Sequence, residues 1–102
     1  MTARALPQPA PHAPTSAGAH RLAWWLAPLG DAGFERLATH ADVELSLIDR
    51  LLSGEVEPSG DVAIAIARET EGDVLPMDWE IGTLRTWLER PLERALPSLE
   101  TA

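Results

Sequence analysis

The feature that most constrains the fold of this chain is the spacing of its apolar residues. From Leu22 to Leu52 they recur at intervals of three and four, in blocks separated first by Pro28 and Gly30 and then by a short turn at Asp42. That spacing places apolar side chains along one side of an α-helix. No cysteine is present, so burial of these side chains must stabilise the fold without disulfides. The pattern predicts one all-α domain.

Two of these blocks have the arrangement of a helix-turn-helix. Asp31 is suited to cap the first helix of the pair, which should end near Asp42. After a short turn, the second helix takes residues 44–52 and stops at Gly54. Two short apolar helices joined by a tight turn are typical of this motif. We expect its core to contain Phe34, Leu37, Ala38, Val43, Ile48, Leu51 and Ile66.

The segment 61–68 fits either a strand or a helix. Val62, Ile64 and Ile66 alternate as in a strand, whereas the three alanines between them favour a helix. A single strand would have no partner in an otherwise helical chain. We therefore predict a buried helix that halts at Gly72.

Apolar residues at helical spacing continue beyond residue 80. They predict a final amphipathic helix within 81–102, beginning near Thr83, that Pro91 should kink or divide. If its apolar side packs on the first helix, the domain is a closed monomer; otherwise it forms the seam of a dimer. The residues assigned to this dimer or partner surface are Trp24, Trp87, Leu88, Leu92 and Leu96.

The N-terminal residues 1–19 are rich in proline, alanine and small polar residues, which predicts a disordered tail. A solvated tail and a partner-binding arm are the two interpretations, and no aromatic residue or basic run favours the arm. The chain thus divides into this tail, a helix-turn-helix domain over 20–80 and the C-terminal helix over 81–102.

Charge and residue types exclude several functions. His12, His20 and His40 are scattered, and the chain has no lysine, so we expect no metal site, cofactor, phosphate-binding loop or enzymatic activity on a small-molecule substrate. No apolar stretch would span a bilayer and no signal peptide is recognisable, which predicts a cytoplasmic protein without a membrane partner. The net charge is −8, and residues 31–80 hold thirteen acids against three arginines. Such a surface repels a phosphate backbone and argues against strong nonspecific DNA affinity.

Residues 37–43, Leu-Ala-Thr-His-Ala-Asp-Val, resemble the second helix and turn of the Cro/repressor-like (XRE, YdaS-like) helix-turn-helix family. Residues 44–50 then stand in place of its recognition helix, and 52–58 resemble the loop that closes it. Residues 66–79 are similar to the fourth helix and exit of the phage Cro and YdaS-like branch. The likeness covers roughly 20–80 and implies a five-helix, lambda-repressor-like domain.

The resemblance implies a transcription regulator that binds duplex DNA, as a dimer or with a partner subunit. Asp42 replaces the family's turn glycine, and Glu44 replaces its serine or threonine. The guanidinium of Arg50 has the geometry that binds guanine or a phosphate of DNA. The other interpretation is that Arg50 forms an ion pair with Glu57 or with neighbours of Asp49. The alternative is an acidic, degenerate helix-turn-helix that docks on a basic DNA-binding or transcription-machinery protein. The DNA-binding residues implied by the resemblance are the base-facing Glu44, Leu45, Ser46 and Asp49, with Arg50 next to them.

Overall fold

The computed structural model describes residues 13–92, and in this range all regular structure is helical. The predicted all-α class is confirmed, but the described residues form four α-helices where five were expected. Residues 1–12 of the predicted tail, and Leu96, lie outside this range. The elements are α1 (Ala17–Leu26), α2 (Gly30–Ala41), α3 (Leu45–Ser53), α4 (Gly60–Glu69) and a 3-10 helix (Pro76–Glu80).

Helix α1 begins inside the stretch predicted as a tail, so the ordered domain starts before residue 20. The Ser16 hydroxyl caps the helix by accepting a hydrogen bond from the Ala19 N–H at 3.0 Å. Gly18 lies against Trp79 of the 3-10 helix, and a Cβ at Gly18 would be 2.5 Å from Trp79 Cδ2. A serine cap and a glycine contact therefore order residues whose composition alone indicates a tail.

The turn between α2 and α3 is three residues long and begins with a left-handed residue. Asp42 has φ 60° and ψ 49°, and its N–H bonds to the carbonyls of the preceding turn of α2. Aspartate adopts this conformation more readily than most residues, as the sequence interpretation required. Gly54, with φ 84°, ends α3 in the same way.

The segment with the alternating pattern is helical. Ser59 caps α4, its hydroxyl accepting from the Val62 N–H at 3.3 Å. The helix ends at Glu69, before Gly72, so the prediction of a helix instead of a strand is confirmed.

One hydrophobic cluster joins all the helices. Phe34 and Leu37 of α2, Ile48 and Leu51 of α3, and Ile66 of α4 are buried in it. Ala38 and Val43 are partly buried and pack against this cluster. Helices α2 and α3 are thus held by a shared interior. The cluster is completed by Ala19, Leu22, Ala23, Leu26, Leu52, Ala63, Val74 and Trp79.

The predicted C-terminal helix is not formed over 81–92. This segment, which we call the strap, has no regular structure and folds back on α1. Its carbonyls accept hydrogen bonds from α1 side chains: Trp24 Nε1 donates to the Trp87 oxygen at 2.8 Å, and His20 Nε2 bonds to the Glu89 oxygen at 2.7 Å. Arg21 donates to the Leu92 oxygen. These bonds use the carbonyls that an α-helix would bond internally.

The strap divides the residues assigned to a dimer or partner surface. Trp24 and Trp87 are half-buried against each other, whereas Leu88 and Leu92 are exposed together with Leu84. The fold-back on α1 therefore buries part of the Trp87 side chain and leaves the leucine side chains exposed, although the Leu92 carbonyl bonds to Arg21. None of the helices in residues 13–92 has the length and apolarity needed to cross a membrane.

Candidate nucleic-acid interface

The outer side of α3 is the surface that the sequence assigned to DNA. Its inner side is fixed because Ile48, Leu51 and Leu52 are buried in the core. The assigned residues lie opposite them or at the start of the helix. Glu44, Leu45, Ser46 and Arg50 are exposed, and Asp49 is half-buried.

Glu44 occupies the N-cap position of α3 but makes no side-chain cap. The Ser46 hydroxyl donates a long hydrogen bond of 3.4 Å to Glu44 Oε1 instead. A carboxylate at a helix N-terminus is favoured by the helix dipole, so the substitution is compatible with the helix. It also leaves a negative charge at the end of α3 that would approach a groove.

Arg50 lies on the exposed side of the last turn of α3. Its carbonyl closes the helix, accepting from the Ser53 hydroxyl at 3.1 Å and the Glu55 N–H at 3.0 Å. Within residues 13–92 its guanidinium makes no ion pair, either with Glu57 or with the neighbours of Asp49. The guanidinium is therefore accessible to a ligand.

Two basic side chains of α2, in contrast, are held by α4. Arg36 Nε and His40 Nδ1 each lie 2.7 Å from a different oxygen of Glu69. The His40 hydrogen bond and the Arg36 guanidinium lower the pKa of the Glu69 carboxyl, although burial opposes them. This clamp, which sequence reasoning missed, ties α2 to α4. The i and i+4 positions of Arg36 and His40 on one helix were the available signal.

A second polar cluster, which sequence reasoning also missed, lies between α1 and the strap. His20 is buried, and its ring makes edge-on contacts with Trp24 and Trp87 at centroid distances of 6.5 and 6.4 Å. Burial lowers the pKa of His20 despite the hydrogen bond to the Glu89 carbonyl, and the charges of Arg21 and Arg85 lower it further. The Arg90 guanidinium lies 5.9 Å from the Trp24 ring centroid. The sequence analysis assigned Trp24 and Trp87 to one surface, but no pattern indicated that His20 and the strap carbonyls would join them.

No group of three or more histidine and carboxylate side chains in the described part of the chain could hold a metal ion. Comparisons with profiles of known families, with curated proteins and with solved structures gave no match. The resemblance to the Cro/repressor-like family therefore rests on the residues of this chain.

Proposed function

We propose that this chain is a helix-turn-helix transcription regulator that binds duplex DNA through α3, as a dimer or with a partner subunit. The observation that carries the proposal is the pairing of α2 and α3 across a three-residue turn on one shared core, with Arg50 on the exposed side of α3 and in no ion pair with residues 13–92. The major groove of B-DNA admits an α-helix and presents a distinct pattern of donors and acceptors for each base pair.

Each exposed residue of α3 has a chemical role in this proposal. Arg50 donates a pair of hydrogen bonds to guanine or clamps a phosphate. Ser46 donates to or accepts from a base edge, and Leu45, which is 39% exposed, contacts a thymine methyl group. Glu44 could accept a hydrogen bond from a cytosine amino group, but the phosphates on either side of the groove repel its carboxylate.

The acidic residues around α3 limit the DNA affinity of a single copy of the protein. Glu44, Glu55 and Glu57 are exposed at the two ends of α3, and phosphates repel them. Arg36 is engaged by Glu69 and adds little attraction. A second copy or a partner that supplies further cations is therefore part of the proposal, and two copies would read half-sites about one DNA turn apart.

The same acidic ends favour a second function from another class. In this alternative, α3 docks on a basic surface of a DNA-binding protein or of the transcription machinery, and the exposed glutamates make the contacts. Such a module binds no duplex DNA at low salt, and the Arg50→Ala substitution leaves its affinity for the protein partner nearly unchanged.

A selection from randomised duplex DNA separates these functions. It is performed on the protein alone and again with proteins from its host, followed by titration of the Arg50→Ala and Glu44→Gln variants. DNA binding predicts that Arg50→Ala weakens affinity, whereas Glu44→Gln preserves or improves it. Enrichment only with host proteins indicates a helper subunit. No enrichment in either arm contradicts the DNA-binding proposal.

A further inference from the structure

A cavity of about 650 Å³ lies between α1 and the strap, away from the exposed side of α3. Small-molecule sites in proteins have volumes of about 300–1,000 Å³ and combine apolar walls with a few placed polar groups. This cavity has that composition. Its walls include His20, Arg21, Ile81, Leu84, Arg85 and Leu92.

Arg85 is the cation of this cavity that has no counter-ion among residues 13–92. Its Nη1 donates to the Arg90 carbonyl at 3.3 Å, and within residues 13–92 its guanidinium pairs with no carboxylate. Arg21 differs, because it donates to the Leu92 carbonyl and lies 3.7 Å from an oxygen of Asp73. A guanidinium with unused donors favours a carboxylate, which it binds in a planar, two-bond geometry.

The two acids that line the cavity do not supply this counter-ion. Asp78 accepts a hydrogen bond from the Leu75 N–H at 2.7 Å, and Glu89 Oε1 accepts from the Thr86 N–H at 2.9 Å. Their negative charges disfavour a ligand with several charges. A ligand with one carboxylate fits the balance of charge better than a phosphate ester does.

The apolar part of the cavity surface consists of side chains that are otherwise exposed to water. Ile81 and Leu92 are largely exposed and Leu84 is fully exposed. Exposed apolar residues that line the same concave surface are typical of a binding site. An apolar chain laid against them would remove this surface from water.

We propose that this cavity binds a small monocarboxylate with an apolar chain, whose carboxylate pairs with Arg85 and whose chain packs on Leu84 and Leu92. The proposal does not depend on DNA binding, because it involves α1 and the strap and no residue of α3. The ligand class is defined by one negative charge and an apolar chain.

Hexanoate is the probe for this site, with hexan-1-ol as the uncharged control and acetate as the carboxylate without an apolar chain. Binding is followed by NMR from the methyl groups of Ile81, Leu84 and Leu92. Hydrogen bonds to charged groups contribute about 1.5–3 kcal/mol, so hexanoate should bind about tenfold or more tightly than hexan-1-ol. Acetate should bind more weakly than hexanoate. Equal affinities for hexanoate and hexan-1-ol, or no saturable binding of hexanoate, would overturn the proposal.

The imidazole of His20 provides a second readout in the same titration. Its pKa is lowered by burial and by the charges of Arg21 and Arg85. A carboxylate bound beside these arginines offsets their charge, so hexanoate should raise the pKa of His20 and hexan-1-ol should not. An unchanged pKa at saturating hexanoate would place the carboxylate elsewhere and contradict the assignment to Arg85.

Variants of Arg85 and Leu84 test the two named contacts. Arg85→Gln should reduce hexanoate affinity to that of hexan-1-ol, Arg85→Lys should retain part of the difference, and Arg68→Gln on α4 is the matched control for loss of one charge. Leu84→Asn changes a fully exposed side chain, so it should leave the unfolding temperature unchanged while weakening hexanoate binding. Wild-type affinity in a folded Arg85→Gln variant would overturn the proposal.

Discussion

Helix α3 and the strap carry the same kind of apolar spacing and adopt different structures. In α3, Ile48, Leu51 and Leu52 are buried and the segment is helical. In the strap, Leu84, Leu88 and Leu92 recur at intervals of four, which also fits a helix, but they are exposed and the segment is irregular. Short helices are stabilised mainly by burial of an apolar side. Apolar residues at helical spacing therefore form a helix only where the rest of the fold provides a surface that buries them.

Side chains of α1 hold the strap by bonding to the backbone of the strap. Three α1 side chains, His20, Arg21 and Trp24, each bond to a strap carbonyl. Pro91 has no N–H to donate within a helix. Irregular backbone is thus stabilised by side-chain donors, whereas α3 is stabilised by its apolar contacts.

The largest expected difference between α3 and the strap is the loss in the free energy of unfolding when an apolar side chain is truncated in each region. Ile48→Ala leaves a cavity in the core and should lower the free energy of unfolding by about 2–5 kcal/mol. Leu88, which is 84% exposed, is the matched position in the strap. Leu88→Ala should change the free energy of unfolding by less than about 0.5 kcal/mol. Chemical denaturation measures both, and similar losses would show that the strap leucines are buried.

A glycine substitution tests the packing of α1 on the 3-10 helix. A Cβ at Gly18 meets the Trp79 ring, so Gly18→Ala should destabilise the protein by about 1–3 kcal/mol. At Gly82 in the strap, no atom of the described residues 13–92 lies within 4 Å of such a Cβ, and Gly82→Ala should be neutral to within about 0.5 kcal/mol. The comparison is made by thermal unfolding. A neutral Gly18→Ala would mean that α1 does not contact Trp79 at this position.

A smaller effect is expected from loosening the strap. Trp24→Phe keeps a ring on α1 but removes the donor to the Trp87 carbonyl, which should cost about 0.5–1.5 kcal/mol. Amide hydrogen exchange should accelerate in the strap and remain unchanged in α3, since the two regions are held by different contacts. Equal acceleration in both regions would contradict their separate stabilisation.

The smallest expected effect is a pH dependence of the free energy of unfolding that arises from the titration of His20. Burial and the charges of Arg21 and Arg85 lower its pKa in the folded protein below the ordinary 6.5, although Glu89 opposes them. Below pH 6.5 the unfolded chain therefore binds a proton that the folded protein does not, and the free energy of unfolding should fall until the folded pKa is reached. Above pH 6.5 this contribution is constant. His20→Phe should lack this decrease, and the same decrease in the variant would contradict the assignment.

The sequence predicted the parts of this fold that local residues determine. Asp42 and Gly54 mark the ends of α2 and α3, and the alanines of 61–68 favour the helix that forms there. The exposed face of α3 follows from the same periodicity, since burial of Ile48 and Leu51 turns Arg50 outward.

The contacts that sequence reasoning missed join residues far apart in the chain. Arg36 and Glu69 are separated by 33 positions, and His20 and Glu89 by 69. Neither pair has a periodic pattern. The strap was misread for the same reason, because the α1 side chains that bond to its carbonyls are identified only once α1 is placed beside it.

The most direct test of the central claim, that α3 holds duplex DNA through Arg50, is the affinity for a selected duplex measured over a range of salt concentrations. Wild type, Arg50→Ala and Arg85→Gln are compared. Arg50→Ala should weaken DNA binding by about 1–3 kcal/mol. If Arg50 contacts a phosphate, the slope of log affinity against log salt should also fall in magnitude by about 0.9 in this variant. Arg85→Gln, in the strap, should match wild type. Arg50→Ala with wild-type affinity and slope would contradict the claim.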